Sequence, residues 1–198
     1  MPPPAPGIAS DDLTLGILAG GRATRLGGRD KAWLVRGGVP QVQRIATRFG
    51  VETGAVLVSA NRELSRHAAL GLTSVPDRIA DAGPLSGLDA LAAACRTPWL
   101  FTLPVDVVDA NDCVLRMLVT QRSDHGASAQ DDDGLQPLVA LWRVDALREA
   151  VAAALATNAF AVHALQARLG MRVVRFEGVR FGNLNTPEDL AAAGIDMH

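Results

Sequence analysis

The feature that most constrains the fold of this chain is an alternation of short apolar runs with longer segments of helical spacing. Four apolar runs predict buried strands, namely Leu13–Leu18, Ala55–Ala60, Leu72–Val75 and Pro98–Leu103. The segments of helical spacing are Val42–Phe49, Arg62–Leu70, Leu88–Cys95 and Cys113–Arg122, the last with Asn111 and Asp112 as its cap. This alternation is typical of a mostly parallel sheet with helices on both faces, which is a three-layer α/β/α fold.

The last third of the chain is less regular. Two further strands, Ala127–Ala129 and Pro137–Trp142, flank the acidic run Asp131–Gly134, which favours a solvated hairpin turn over a metal site. The later elements are predicted as helices Val144–Leu155 and Ala161–Leu169, a strand Met171–Phe176, and a final helix with Thr186 as N-cap and Pro187 at its first position.

Polar and glycine-rich segments follow the predicted strands. Asn61 comes after the second strand, Asp77 after the third and Asp106 after the fourth, while a glycine cluster follows the first. Parallel sheets bind ligands at the carboxyl ends of their strands, so these groups are expected to share one site.

The glycine cluster Gly20–Lys31 ends in the only lysine of the chain. Glycines let backbone N–H groups approach a phosphate, and basic side chains neutralise it. Neither a Walker A motif nor a Gly-x-Gly-x-x-Gly fingerprint is present. Glycine content alone leaves phosphate binding and a structural turn equally open, and an arginine-rich codon usage could account for the scarcity of lysine.

Composition narrows the function classes. The net charge of −2 excludes a general attraction to nucleic acid or an anionic membrane, and no apolar stretch is long enough to span a bilayer. Residues 1–12 are predicted to form a disordered N-terminal lead, and residues 13–198 are predicted to form a single domain. Cys95 and Cys113 are expected to be free buried thiols of a cytoplasmic protein. The four histidines show no metal-ligand spacing and are interpreted as surface or incidental residues.

Phosphoryl-transfer chemistry suits the residues at the strand ends. Asp106 could hold Mg²⁺ against triphosphate oxygens, although, taken in isolation, this residue is better explained as part of a loop turn or as a helix cap. Lys31, Arg22 and Arg25 could neutralise the charge that develops as pyrophosphate leaves, or form a solvated basic face.

Several strings resemble one family of enzymes. They are Leu18-Ala19-Gly20-Gly21, Arg25-Leu26-Gly27-Gly28 before Asp30-Lys31, Ser59-Ala60-Asn61-Arg62, Pro76-Asp77, Gly83-Pro84-Leu85-Ser86-Gly87, Pro104-Val105-Asp106, Gln136-Pro137-Leu138 and Asn183-Leu184-Asn185-Thr186-Pro187. In this order they are similar to the motifs of nucleotidyltransferases of the Rossmann-like, glycosyltransferase-A-like fold, and most of all to the molybdenum cofactor guanylyltransferase family.

The resemblance implies an enzyme that transfers GMP from GTP to the phosphate of molybdopterin and releases pyrophosphate. It implies Mg²⁺ on Asp106, and a catalytic set of Lys31, Arg25 and Asp106. The nucleotide-binding residues it implies are Leu18, Ala19, Gly20, Gly21, Lys31, Asn61, Asp77 and Asp106. The acceptor-side residues it implies are Gly87, Gln136, Pro137, Asn183 and Asn185. Other proteins of the cofactor pathway are implied partners.

Two positions depart from the family's pattern. Val107-Val108 replaces an expected proline two residues after the aspartate, and Ala32 stands where glycine is usual after Asp-Lys. Alternatives therefore stay open: a cytidylyltransferase of the same pathway, a sugar-phosphate nucleotidyltransferase, or a non-catalytic nucleotide-binding protein.

Overall fold

A seven-stranded sheet forms the centre of the molecule. The computed structural model describes residues 7–20, 30–108, 110–111 and 113–195. The strands of this sheet are β1 (Leu13–Leu18), β4 (Ala55–Ser59), β5 (Thr73–Val75), β6 (Trp99–Pro104), β7 (Gly126–Asp131), β8 (Gly134–Arg143) and β9 (Arg172–Arg175), and a separate two-stranded ribbon is made of β2 (Val35–Arg36) and β3 (Val39–Pro40). Every strand predicted from an apolar run is present, with ends shifted by a few residues.

The strand order in the large sheet is β5-β4-β1-β6-β8-β7-β9. Strands β5, β4, β1 and β6 pair in parallel, as do β7 and β9. Strand β8 runs antiparallel to both of its neighbours, β6 and β7. The predicted mostly parallel sheet is therefore confirmed, and the start of β8 lies at the same edge as the carboxyl ends of the other strands.

The helices are α1 (Gln41–Gly50), α2 (Leu64–Ala69), α3 (Pro84–Ala94), α4 (Cys113–Gln121), α5 (Val144–Ala156), α6 (Val162–Arg168) and α7 (Pro187–Ala192). Helices α1 and α4 cover one face of the sheet, and α3, α5 and α6 cover the other. None of the helices in the described part of the chain is long and apolar enough to cross a membrane.

Strand residues alternate between the two layers of core. In β1, Leu15 and Ile17 pack in the α1/α4 layer, whereas Leu18 packs in the α3/α5 layer. In β6, Phe101 packs in the α1/α4 layer and Leu100 packs in the α3/α5 layer. Full burial of each such side chain contributes about 1.5–3 kcal/mol, so the two layers fix the register of the strands and the positions of their ends.

Helix α3 begins earlier than the sequence predicts. The sequence predicts a helix over Leu88–Cys95, but the helix starts at Pro84. Proline suits the first position of a helix because its missing N–H would have no partner there, and Gly83 before it adopts a φ of 58°. Leu85, Leu88 and Leu91 then lie on one buried face.

Two predictions about the exposure of side chains in helices are wrong. Cys113 is exposed, because it lies at the solvent side of the first turn of α4; Cys95 is buried as expected. His67 is fully buried, because α2 packs it against Trp33. The cap by Asn111 is confirmed, since its Oδ1 accepts the N–H of Cys113 at 3.0 Å; Asp112 lies outside the described residues.

Candidate active site at the carboxyl edge of the sheet

Backbone hydrogen bonds continue past the ends of the parallel strands and align the segments that follow them. The N–H of Ala19 donates to Ser59 O at 2.9 Å, and the N–H of Val105 donates to Leu18 O at 3.0 Å. Ala60 is joined to Val75 by a third such bond of 3.1 Å. The residues after β1, β4, β5 and β6 therefore lie side by side, as the sequence predicts for this edge.

Asn61 and Asp77 form a reciprocal pair after β4 and β5. The Asn61 amide donates to Asp77 Oδ2 at 2.8 Å, and the backbone N–H of Asp77 donates back to Asn61 Oδ1 at 2.8 Å. Ser59 Oγ donates to the other Asp77 oxygen at 3.3 Å. A Cβ placed on Gly20 would lie about 4 Å from Ser59, Asn61 and Asp77. The glycine after β1 thus borders this pair.

Lys31 begins a short 3-10 turn, Lys31–Trp33. Asp30 caps the turn by accepting the N–H of Ala32 at 2.9 Å, and Ala32 is fully buried. The ammonium of Lys31 donates to Asp106 Oδ2 at 2.9 Å and to Asn185 Oδ1 at 2.7 Å. Three predicted site residues from distant parts of the chain therefore meet at one nitrogen atom.

The Lys31–Asp106 ion pair is partly buried, with side-chain exposures of 18% and 22%. Both side chains therefore keep some contact with solvent. Asp106 Oδ1 accepts no hydrogen bond from a described residue, so this carboxylate keeps an oxygen for a further ligand.

The position of Asn185 is set by the start of α7. Asp189 Oδ2 accepts the backbone N–H groups of Asn185 and Thr186 at 3.0 and 2.9 Å, and Thr186 Oγ1 accepts the N–H of Asp189 at 3.2 Å. These bonds form a capping box, which confirms Thr186 as the N-cap. The hydrogen bonds from the backbones of Asn185 and Thr186 hold the pKa of Asp189 below its usual range.

A small apolar cluster holds the lysine turn beside the C-terminal segment. Leu34, which follows the turn, packs with Leu184, Leu190, Ala193 and Ile195. Leu184 directly precedes Asn185. This shared cluster therefore brings the two partners of the Lys31–Asn185 hydrogen bond together.

Asp131 contributes to the site region in a way that the sequence analysis missed. It was predicted to lie in a solvated turn, yet it is 3% exposed at the end of β7. Its carboxylate accepts from Phe181 N at 2.9 Å, Asp133 N at 3.0 Å and Gln136 Nε2 at 3.1 Å. Burial raises the pKa of Asp131, but the hydrogen bonds from Phe181, Gln136 and Asp133 outweigh burial and hold the pKa below its ordinary value.

A signal for the burial of Asp131 is present in the sequence. Side chains alternate along a strand, so Asp131 shares a face with Ala127 and Ala129, and both of these pack in the core. The hairpin turn itself is confirmed, because β7 and β8 pair Asp131 with Gly134. Its first acidic residue faces inward, where it fixes Gln136 and the segment leading to Asn183.

The other predicted acceptor-side residues occupy different environments. Asn183 is exposed, and Pro137 O accepts from Gln166 Nε2 at 2.8 Å. Gly87 is buried inside α3, where a Cβ would lie 2.8 Å from both Leu18 and Ser59. The absence of a side chain at Gly87 thus lets α3 pack closely against β1 and β4. Contact between Gly87 and an acceptor stays a prediction. Gly21, Arg22 and Arg25 lie outside the described residues.

Solved structures of nucleotidyltransferases share this fold. The molybdopterin-guanine dinucleotide biosynthesis protein A of Archaeoglobus fulgidus has a TM-score of 0.67 at 17% identity, covering 91% of this chain and 96% of its own. The 2-C-methyl-D-erythritol 4-phosphate cytidylyltransferase of Thermus thermophilus has a TM-score of 0.65 at 19% identity, covering 90% and 96%. At these identities the likeness establishes the fold.

Sequence relatives are more specific. A protein of Cereibacter sphaeroides named molybdenum cofactor guanylyltransferase is 40% identical to this chain, over 89% of this chain and 93% of its own length. A protein of the same name from Serratia proteamaculans is 34% identical, over 90% of this chain and 92% of its own length. One from Cupriavidus necator is 32% identical over 92% and 96%.

The fold and these relatives define an enzyme of the nucleotidyltransferase class. Residues 15–171 match the model of one family within it, the MobA-like NTP transferase domain. The chain belongs to that family.

Proposed function

We propose that this enzyme transfers GMP from GTP to the terminal phosphate of molybdopterin, with release of pyrophosphate and formation of a guanine dinucleotide. The observation that carries the proposal is the position of Lys31 Nζ, which contacts Asp106 on one side and Asn185 on the other. The names of the relatives support the choice of donor and acceptor.

Asn61 and Asp77 suit recognition of the nucleoside. Their mutual hydrogen bonds fix both side chains before a ligand arrives, so little conformational entropy is lost on binding. A carboxylate has about four acceptor sites, and Asn61 and Ser59 use two of those on Asp77. The remaining ones match the N1–H and N2–H₂ donors of guanine, whereas the corresponding edge of cytosine presents acceptors at two of its three positions.

Asp106 fits a magnesium ion that is shared with the nucleotide. The described residues contain no group of three His, Cys, Asp or Glu side chains that could hold a metal by themselves. Magnesium in nucleotide enzymes, however, needs only one or two carboxylates and takes its other ligands from phosphates and water. The Oδ1 atom of Asp106, which accepts no hydrogen bond from the described residues, meets this requirement. When bound, the ion would neutralise charge on the phosphate oxygens.

The reaction asks the protein mainly to position groups and to stabilise charge. The acceptor phosphate attacks the α-phosphorus of GTP in line with the departing pyrophosphate. The Lys31 ammonium binds the phosphates and counters the charge that grows as pyrophosphate leaves. Asn185, held by the capping box, orients this ammonium from the acceptor side.

A pyrophosphate-release assay with GTP, Mg²⁺ and molybdopterin tests the proposal. We expect activity in the natural protein and less than about 1% of it in Asp106→Ala, because that variant loses the metal ligand and the partner of Lys31. Asp124→Ala, which removes an exposed carboxylate far from this edge, is the matched control and is expected to be fully active. Normal turnover by a folded Asp106→Ala protein would refute the role of Asp106.

A further inference from the structure

An aromatic contact packs the Lys31 turn against helix α2. Trp33, the last residue of the turn, has its ring centroid 4.7 Å from that of His67. The guanidinium carbon of Arg66 lies 4.0 Å from the centroid of the Trp33 ring. We call Trp33, His67 and Arg66 the Trp33 cluster. Its members come from only two elements, the lysine turn and α2, so the cluster joins those two elements.

The Trp33 cluster contains buried polar atoms without partners. Both ring nitrogens of His67 and the indole nitrogen of Trp33 lack a hydrogen-bond partner among the described residues. Burial lowers the pKa of His67; Arg66 lowers it further, while Asp30 and Glu63 oppose the shift, and the net effect favours the neutral ring. Unpaired buried polar atoms are costly, and apolar side chains would fill the same space without that cost.

The short turn Lys31–Trp33 is held together by backbone hydrogen bonds. Trp33 N donates to Asp30 O at 3.1 Å, and Leu34 N donates to Lys31 O at 3.3 Å, so one turn contains both Lys31 and Trp33. A displacement of the Trp33 backbone therefore also displaces the backbone of Lys31. On the other side of the contact, α2 begins at Leu64, three residues after Asn61. The Trp33 cluster thus links the segment that carries Asn61 to the turn that carries Lys31.

We propose that Trp33 is a positioning residue: its contacts with His67 and Arg66 hold the turn that presents the Lys31 ammonium to Asp106 and Asn185. The consequence for catalysis rests on the proposed function, in which Lys31 binds the phosphates. The positional claim can be measured without any substrate.

The chemical reactivity of Lys31 provides that measurement, because it is the only lysine of the chain. The rate of its acetylation by acetic anhydride is followed by mass spectrometry of the peptide that contains it. In Trp33→Ala we expect a severalfold faster rate, since the ammonium leaves its two acceptors. Trp33→Phe keeps an aromatic ring and is expected to react like the natural protein. Leu165→Ala, a core truncation in α6, controls for general loss of stability and is expected to leave the rate unchanged.

A kinetic comparison then separates positioning from a general structural effect. We expect Trp33→Ala to lower kcat/KM for GMP transfer about tenfold or more, as small misplacements of catalytic groups do. In a Lys31→Ala background the same substitution is expected to have no further effect, because residues that act through one another are not additive. An equal fold-loss in both backgrounds would overturn the proposal.

An unchanged acetylation rate in folded Trp33→Ala would also overturn it. If Trp33→Ala does not fold, Arg66→Ala removes one contact of the indole from an exposed position, and an unchanged rate in that variant overturns the proposal equally. If the natural protein does not transfer GMP, the proposed function fails, but the acetylation rates still decide the role of Trp33.

Discussion

At the scale of single residues, Lys31 joins parts of the chain that are far apart in sequence. Its two acceptors, Asp106 and Asn185, lie 75 and 154 residues further on. Each of the three was expected at the site because of its motif or strand end. Their convergence on one nitrogen depends on packing, chiefly on the apolar cluster that contains Leu34 and Leu184, for which the local sequence around Lys31 holds no signal.

Substitution of Lys31 tests its chemical role. We expect Lys31→Ala to lower kcat/KM for GMP transfer by about 100-fold, because a charge that stabilises the leaving group is lost. Lys31→Arg is expected to lose about tenfold, since a planar guanidinium cannot meet Asp106 and Asn185 in the geometry of a compact ammonium. Steady-state kinetics measure both. Arg44→Ala, at an exposed cation of α1, serves as control, and a fully active Lys31→Arg would reduce Lys31 to an incidental basic residue.

At the scale of secondary-structure elements, the hairpin of β7 and β8 holds Gln136, a predicted acceptor-side residue, through the carboxylate of Asp131. Its existence follows from two apolar runs around an acidic turn, and the sequence predicts it. The inward orientation of Asp131 could also have been derived from strand alternation, but three consecutive acidic residues suggest solvent exposure more strongly. The early start of α3 was missed for a related reason, because glycine and proline mark loops as well as helix starts.

Substitution of Asp131 tests whether this element depends on the buried carboxylate. We expect Asp131→Asn to lower the free energy of unfolding by about 1–3 kcal/mol at neutral pH, because an amide cannot accept all of the hydrogen bonds from Phe181, Asp133 and Gln136. Urea denaturation measures the change. Asp133→Asn in the same turn is the matched control, since its side chain is half exposed and its ion pair with Arg180 is weak.

The pH dependence of this difference has a definite sign. The pKa of Asp131 is lowered in the folded protein, so its ionised form stabilises the fold above the ordinary aspartate pKa of about 3.9. That contribution is lost as the pH falls through the folded-state pKa. The gap between the natural protein and Asp131→Asn should therefore shrink below about pH 4. A gap that is constant with pH would contradict the assignment of charge to this buried group.

At the scale of the whole molecule, strand–helix alternation accounts for most of what the sequence predicts. Parallel strands place their carboxyl ends at one edge of the sheet. This rule correctly predicts that Gly20, Asn61, Asp77 and Asp106 lie at the same edge. The rule does not specify which side chains touch across that edge. The Asn61–Asp77 pair and the Trp33 cluster arise from contacts between elements, and neither has a local sequence pattern.

The central claim is that this edge of the sheet is a guanine nucleotide site loaded with magnesium. Titration calorimetry of the full chain with GTP and with CTP, each with and without Mg²⁺, tests it most directly. We expect GTP to bind in the presence of Mg²⁺, more weakly without it, and CTP to give no comparable heat. Binding of CTP in place of GTP, or no binding of either nucleotide by folded protein, would contradict the account.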